Sequence, residues 1–362
     1  MFNNPHLILD SSEAPEPGSI TWRSPSNIAI IKYWGKYGVQ LPKNPSLSLT
    51  LSSSCTDTNL EYSFKDNIPD GQIDLEFYFH QEENEAFRKK VLEFLKSLLP
   101  VFPFLTQLNL TVRTGNSFPH SAGIASSASA MSALALCLSS LEDKLFGTLK
   151  DQEVFDRKAS WLARLGSGSA CRSIFPHAAV WGETTHVKGS SNEYAVPVGD
   201  QIHDVFRNYH DDILIVSRAE KAVSSRAGHA LMEGNPYAEP RYAQARARLE
   251  TLLHAMKTGD LETFGKIAED EAMTLHALMM CSNPSYTLIR PDTLAIIEKI
   301  RQYRADSGHP VYFTLDAGPN VHLLYPGEIV HDVRAFIDDH LLGHCEDHYV
   351  QQDWAGEGPE EL

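Results

Sequence analysis

Residues 114–141 constrain this chain more than any other stretch. A Gly/Ser-rich loop, Thr114–Ser127, opens directly into an apolar, alanine-rich segment that runs to about Leu141. A small-residue loop at a helix start aims several backbone N–H groups and the positive helix end at one point, which suits a nucleotide phosphate. Ser126 and Ser127 add hydroxyls, one of which can reach a phosphate-bound Mg²⁺. The loop lacks the lysine of the Gly-x-x-x-x-Gly-Lys-Ser/Thr type. The plain alternative is a small-residue helix start packed closely on a neighbour.

Four other segments carry residue types that fit an anionic ligand. Gly166-Ser167-Gly168-Ser169-Ala170-Cys171-Arg172 joins flexible backbone N–H groups to hydroxyls and a guanidinium suited to bidentate recognition of carboxylate or phosphate. Read blandly, it is a turn capping a helix, with Arg172 solvated. Ser26–Lys36 sets Lys32 and Lys36 around Tyr33 and Trp34 just after a strand. Lysines neutralise a phosphorylated ligand and Tyr33 can donate a hydrogen bond, unless the aromatic pair simply closes the core. Thr314–Asn320 places Asp316 at a strand end beside a Gly-Pro turn. It is a candidate general base whose pKa answers to burial and to nearby cations in opposite directions, or else a turn former. Lys221–Arg226 offers Ser225 and Arg226 to phosphates, or merely a polar loop. The histidines are read as giving no metal signal.

Periodicity organises the rest. Alternation predicts strands at Ile20–Ile31, Ser46–Leu51, Asn59–Phe64, Asp74–Phe79 and Leu108–Val112. Helical spacing predicts Glu82–Leu99 and Asp151–Leu165. The second half reads as a strand at 212–216, helices near 241–256, 261–276 and 291–307, strands at 311–314 and 321–325, and a closing helix at 329–340. Helices and strands mix without a strict βαβ rhythm, giving an α+β class. The 362 residues suit two domains, and the polar, Gly-punctuated stretch 182–200 puts the boundary between 1–195 and 196–362. The tail 354–362 has few apolar partners and reads as frayed.

Charge and cysteine usage exclude some partners. A formal net charge of −16 disfavours nucleic acid and anionic membranes. It leaves room for a small anionic substrate held by a local cluster of cations. Apolar runs are too short to cross a bilayer. The five cysteines have no Cys-x-x-Cys pair and the N-terminus is read as carrying no secretory signal, so the expectation is reduced thiols in a cytoplasm.

The order of these motifs is more telling than any one of them. Asn-Ile-Ala-Ile-Ile-Lys-Tyr-Trp-Gly-Lys, Phe-Pro-x-x-Ala-Gly-x-Ala-Ser-Ser, Gly-Ser-Gly-Ser-Ala-x-Arg and Asp-Ala-Gly-Pro-Asn follow one another from about Thr21 to Tyr325. Together they resemble the diphosphomevalonate decarboxylases of the galactokinase, homoserine kinase, mevalonate kinase and phosphomevalonate kinase superfamily. The resemblance implies a two-domain small-molecule-kinase fold, ribosomal-S5-like in the N-terminal half and ferredoxin-like in the C-terminal half, with the site in the cleft between. It implies ATP and Mg²⁺ and a homodimer. It casts Asp316, Arg172, Lys32 and Asn27 as catalytic. Tyr33, Lys36, Ser167, Gly168, Ser169, Arg172, Ser225 and Arg226 would hold the substrate. Asn116, Ser121, Ala122, Gly123, Ala125, Ser126 and Ser127 would cradle ATP, with Ser127 on the metal.

The implied reaction phosphorylates a tertiary hydroxyl, then loses phosphate and CO₂ to leave an alkene, as in the decarboxylation of mevalonate 5-diphosphate. Departures from the pattern are His120-Ser121, Ile124 and Lys43-Asn44-Pro45-Ser46, the last near the expected substrate end. Residue types leave monophosphate against diphosphate open. They also leave a 3-kinase that stops before decarboxylation, and an inactive nucleotide-binding protein on the same fold. A kinase need not keep Arg172, and an inactive protein need not keep Asp316.

Overall fold

The computed structural model describes all residues except 1, 3–5, 11, 13, 67–70, 119–125 and 220–222. Strand β1 (Gly18–Ile31) leads into a short hairpin, β2 (Lys36–Tyr37) and β3 (Leu41–Pro42), and then β4 (Ser46–Phe64). Strands β5 (Asp74–Phe79) and β6 (Glu82–Glu83) precede helix α1 (Glu85–Ser97) and β7 (Leu108–Asn116). Helices α2 (Ser126–Phe146) and α3 (Gln152–Gly166), a 3₁₀ segment (Gly168–Ile174), and strands β8 (Ala178–Trp181) and β9 (Ala195–Pro197) follow. The second half runs β10 (Tyr209–Leu214), α4 (Ser225–Ala230), α5 (Ala238–Thr258), α6 (Leu261–Met280), α7 (Pro291–Ser307), β11 (Tyr312–Thr314), β12 (Val321–Pro326), α8 (Val330–Phe336), β13 (Val350–Gln351) and β14 (Glu360–Glu361).

The strands form two main sheets. The first runs β14-β1-β4-β7-β5-β6, with β8 and β9 added beside the start of β4. Among the described residues, only the β5–β7 pair of this sheet is parallel. The second is antiparallel, β11-β12-β10-β13. One core lies between the first sheet and α1, α2 and α3. A second joins the halves: Ile28, Ile30, Leu47 and Leu49 pack with Ile213, Ile215, Leu249, Leu252 and Phe264. Small residues let α2 press onto β1, so that the Ser24 and Ser132 hydroxyls meet at 2.5 Å.

Three expectations change. The strands expected at 46–51 and 59–64 are one 19-residue strand. Its middle is held by an acceptor distant in sequence: Asp353 takes the N–H groups of Ser52, Ser53 and Ser54, each at 2.8 Å. This replaces pairing where β1 shifts register between Pro25 and Asn27, and Pro25 has no N–H to give. The tail is not frayed. Glu360 and Glu361 pair with Arg23 and Trp22, and Gly356 N–H reaches Thr50 O at 2.8 Å. Backbone hydrogen bonds at an open sheet edge anchor it without apolar side chains, and its charges blunt that edge. The closing helix breaks after Phe336 into a π turn, Ile337–Leu341.

The alternation Ser46-Leu47-Ser48-Leu49-Thr50-Leu51 does not separate core from solvent. All six residues are buried. The leucines enter the shared core, while the hydroxyl face lies under the 3₁₀ segment and forms one wall of the site described next.

Candidate active site

The site begins where β1 ends. The backbone N–H of Lys32, beyond the sheet, donates to Glu271 Oε2 of α6 at 2.9 Å. Its side chain is 2% exposed and donates to Asp316 Oδ1 at 3.0 Å. Asp316 follows β11 and keeps 27% of its side chain exposed. His276 Nε2 lies 3.0 Å from Asp316 O; a carbonyl only accepts, so that nitrogen donates. Asn44 Nδ2 donates to Lys32 O at 3.1 Å, holding the next peptide of the same residue.

Arg172, in the 3₁₀ segment, is 1% exposed. Its Nε donates to Ser48 Oγ at 2.9 Å, Nη1 to Ser46 Oγ at 2.7 Å and Nη2 to Asn27 Oδ1 at 3.3 Å. Three of its five N–H groups are thereby used, leaving one on each terminal nitrogen. Burial pulls its pKa down, opposed by Cys171, Asp316 and Tyr33. Asn27 uses its amide N–H groups on Ser169 O at 3.2 Å and Ser173 Oγ at 2.7 Å. Cys171 is no nucleophile: burial pushes its thiol up to about 12.

Rings carry the site onward. Tyr33 meets Trp181 at 4.6 Å and His229 at 4.4 Å between centroids. Its hydroxyl is buried, and burial raises its pKa. A Cβ on Gly168 would lie 3.0 Å from the Tyr33 ring, so glycine is needed for this approach. Lys36 Nζ donates to Gln40 Oε1 at 2.9 Å. Burial lowers the Lys36 pKa first and the Arg226 charge second, which puts these two cations near each other. Ser225 opens α4, behind its N-cap Ser224.

The two Gly/Ser loops converge: Ser127 Oγ and Ser167 Oγ are 3.3 Å apart. Asn116 Oδ1 accepts from Thr56 Oγ1 at 2.8 Å, and Thr56 in turn meets Ser129 on the first turn of α2 at 2.6 Å. Ser126 begins α2. Ser121, Ala122, Gly123 and Ala125 lie outside the described residues. Among the described residues no group of three His, Cys, Asp or Glu is arranged to hold a metal ion. Hydroxyls such as that of Ser127 fit a cation that arrives already bound to phosphate oxygens.

Comparison with known proteins bears on this arrangement. Two family models match in tandem: the diphosphomevalonate decarboxylase-like N-terminal domain over residues 24–193, and the mevalonate 5-diphosphate decarboxylase C-terminal domain over 212–357. A diphosphomevalonate decarboxylase of Ganoderma lucidum is 30% identical over 340 residues, covering 88% of this chain and 80% of the relative. The chain belongs to the diphosphomevalonate decarboxylase family. Among solved structures, the mevalonate diphosphate decarboxylase of Staphylococcus aureus superposes with a TM-score of 0.81 at 27% identity, covering 96% of this chain and 98% of that one. A protein abbreviated MDDEF, solved in complex with MVAPP, AMPPCP and magnesium, gives 0.79 at 31% identity, covering 96% and 99%. The α+β, two-domain fold is thus that of these decarboxylases.

Several residues of the site carry no motif. Ser46 and Ser48 show only as the polar half of an alternation. His229 has no sequence signal. Glu271 has one: it falls on the stripe Phe264, Ile267, Ala268, Leu275 and Leu278 that α6 buries, and a carboxylate in such a stripe needs partners.

Proposed function

We propose that the protein catalyses the ATP-dependent decarboxylation of mevalonate 5-diphosphate to isopentenyl diphosphate, releasing ADP, phosphate and CO₂. The observation that carries this reading is the pairing of two devices, a buried guanidinium and a half-buried lysine–carboxylate pair. Arg172 is fixed by three neutral side chains with one N–H left on each terminal nitrogen, and Lys32 of the same half pairs with Asp316 from the other. A kinase needs only the second device. A decarboxylase also needs the first, to hold a carboxylate still while its C–C bond breaks.

Asp316 orients the 3-hydroxyl and takes its proton as the oxygen attacks the γ-phosphorus. Lys32 keeps that carboxylate placed. Departure of phosphate leaves cationic character at C3, and the electrons of the breaking C–C bond form the alkene as CO₂ leaves. Arg172 aligns the carboxylate without exchanging a proton. Asn27 acts by positioning, because its amide is engaged with Arg172, the Ser169 carbonyl and the Ser173 hydroxyl. Tyr33, Lys36, Ser167, Gly168, Ser169, Ser225 and Arg226 line the phosphate end.

Asn116, Ser121, Ala122, Gly123, Ala125, Ser126 and Ser127 cradle ATP. Ser127 would touch a Mg²⁺ ion arriving with the nucleotide, which would supply charge neutralisation at the phosphates. Residues 1–195 form the ATP-binding, S5-like half and 196–362 the ferredoxin-like half that brings Asp316. Four buried thiols among five free cysteines support a reducing, cytoplasmic setting, and the family likeness supports a homodimer.

Purified protein with Mg²⁺-ATP and, separately, mevalonate, 5-phosphomevalonate and 5-diphosphomevalonate tests this reading. Equal ADP and CO₂ from the diphosphate alone is the expected result. ADP without CO₂ would make the protein a kinase, and neither product from any tube would sink the proposal.

A further inference from the structure

His229 is buried in the site yet belongs to none of the motifs. It sits three residues after Arg226, so both side chains share one face of α4. The helix seats tightly there: a Cβ on Gly228 would lie 2.5 Å from the Trp34 ring. The imidazole is clamped between Tyr33 at 4.4 Å and Trp34 at 4.5 Å. Its Nδ1 accepts the Gly35 N–H at 2.9 Å. Burial, and then the charge of Lys36, hold its pKa down to about 3. The ring is therefore neutral near pH 7, Nδ1 carries no proton, and Nε2 carries the only one. The ring is left with one N–H to donate.

The cavity beside it fits an anion. His229, Lys36 and Lys43 line a space of about 290 Å³ with Tyr37, Tyr242 and the exposed Glu233, two lysines against one carboxylate. A third cation beside Lys36 and Arg226 would add repulsion, whereas a neutral donor adds a hydrogen bond without charge. Distance along the site decides which group it meets. From Arg172 to His229 the contacts step through Trp181 and Tyr33, at 5.9, 4.6 and 4.4 Å. A substrate whose carboxylate rests on Arg172 reaches His229 only with its far end.

We propose that His229 donates its Nε2–H to the terminal phosphate of the substrate and makes the site select a diphosphate over a monophosphate. This rests on the substrate reading given above. The contact uses no proton transfer and belongs to binding, so it acts on KM.

Two variants and one spectrum test it. His229→Phe keeps the ring between Tyr33 and Trp34 and removes both nitrogens. It should raise KM for mevalonate 5-diphosphate about 10- to 100-fold, the range for a hydrogen bond to a charged group, with kcat nearly unchanged. Turnover of 5-phosphomevalonate, measured at high enzyme concentration, should change less than about twofold, a hydrogen bond's worth being absent there. His229→Asn restores an acceptor and a donor and should recover part of the loss. In the wild-type enzyme, ¹⁵N spectra should show Nε2 protonated, with its resonance moved by inorganic pyrophosphate and not by inorganic phosphate. Equal KM increases for both substrates would reduce His229 to a cap for Gly35 and overturn the proposal. So would a bare Nε2 or a resonance indifferent to pyrophosphate, a result obtainable even if neither variant folds. A wild-type enzyme active only on the monophosphate would instead overturn the substrate reading, and this contact with it.

Discussion

Arg172 shows what residue type alone leaves out. Its partners Ser46, Ser48 and Asn27 are neutral, and burial works against its charge. A buried cation with neutral partners weakens the fold while it waits for an anion. Arg172→Gln should therefore lower kcat/KM by at least about 100-fold, the scale of a lost charged contact in the transition state, while the melting temperature holds or rises. Calorimetry beside the ADP assay checks both halves. Asp212 carries a different cost. Burial lifts its pKa to about 6 from an ordinary 3.8, against the Tyr325 hydroxyl and Arg334. The folded state holds the extra proton between those values, so stability falls as pH rises from about 4 to about 6, by up to about 3 kcal/mol. In Asp212→Asn that fall should disappear. Melting curves of the variant and wild type that run parallel from pH 4 to pH 7 would contradict it.

At the scale of elements, α6 ties the site to its scaffold. Glu271 is fully buried and takes the Lys32 N–H, both Arg241 terminal nitrogens and Arg248 Nη1. Glu271→Ala leaves Arg241 buried without its carboxylate and should cost roughly 3–5 kcal/mol, read as a lower urea midpoint. Elements of this kind divide what the sequence discloses from what it withholds. Helix α7 is legible to its ends because Pro291 at its first turn and Gly308 in the left-handed region punctuate it. The motif loops are legible because chemistry fixes their residue types. Strand β8 is not, since Ala178–Trp181 is buried on both faces and shows no alternation. Nor is the union of two expected strands into β4, whose middle depends on Asp353, about 300 residues away. Single-sequence patterns report local periodicity, and a distant acceptor leaves no trace in them.

Across the whole molecule, the last residues close the first sheet. Strand β13 joins the second sheet, Asp353 caps the middle of β4, Ala355 bridges Leu51, and β14 pairs with β1. Asp353→Ala orphans three successive amide groups and should lower stability by about 2–4 kcal/mol. Native-state hydrogen exchange should localise the loss to Ser52–Ser54 and their neighbours, and an unchanged exchange pattern there would refute the capping role. The same strap sets an order in time. A ribosome adds roughly 5–20 residues each second. Ser52 is separated from Asp353 by 301 positions, so the acceptor arrives roughly 15–60 s after the amides it serves. Through that interval the nascent first half has a sheet with an open edge and a gap in its longest strand. The β4 wall of the site is complete only once Asp353 has been made.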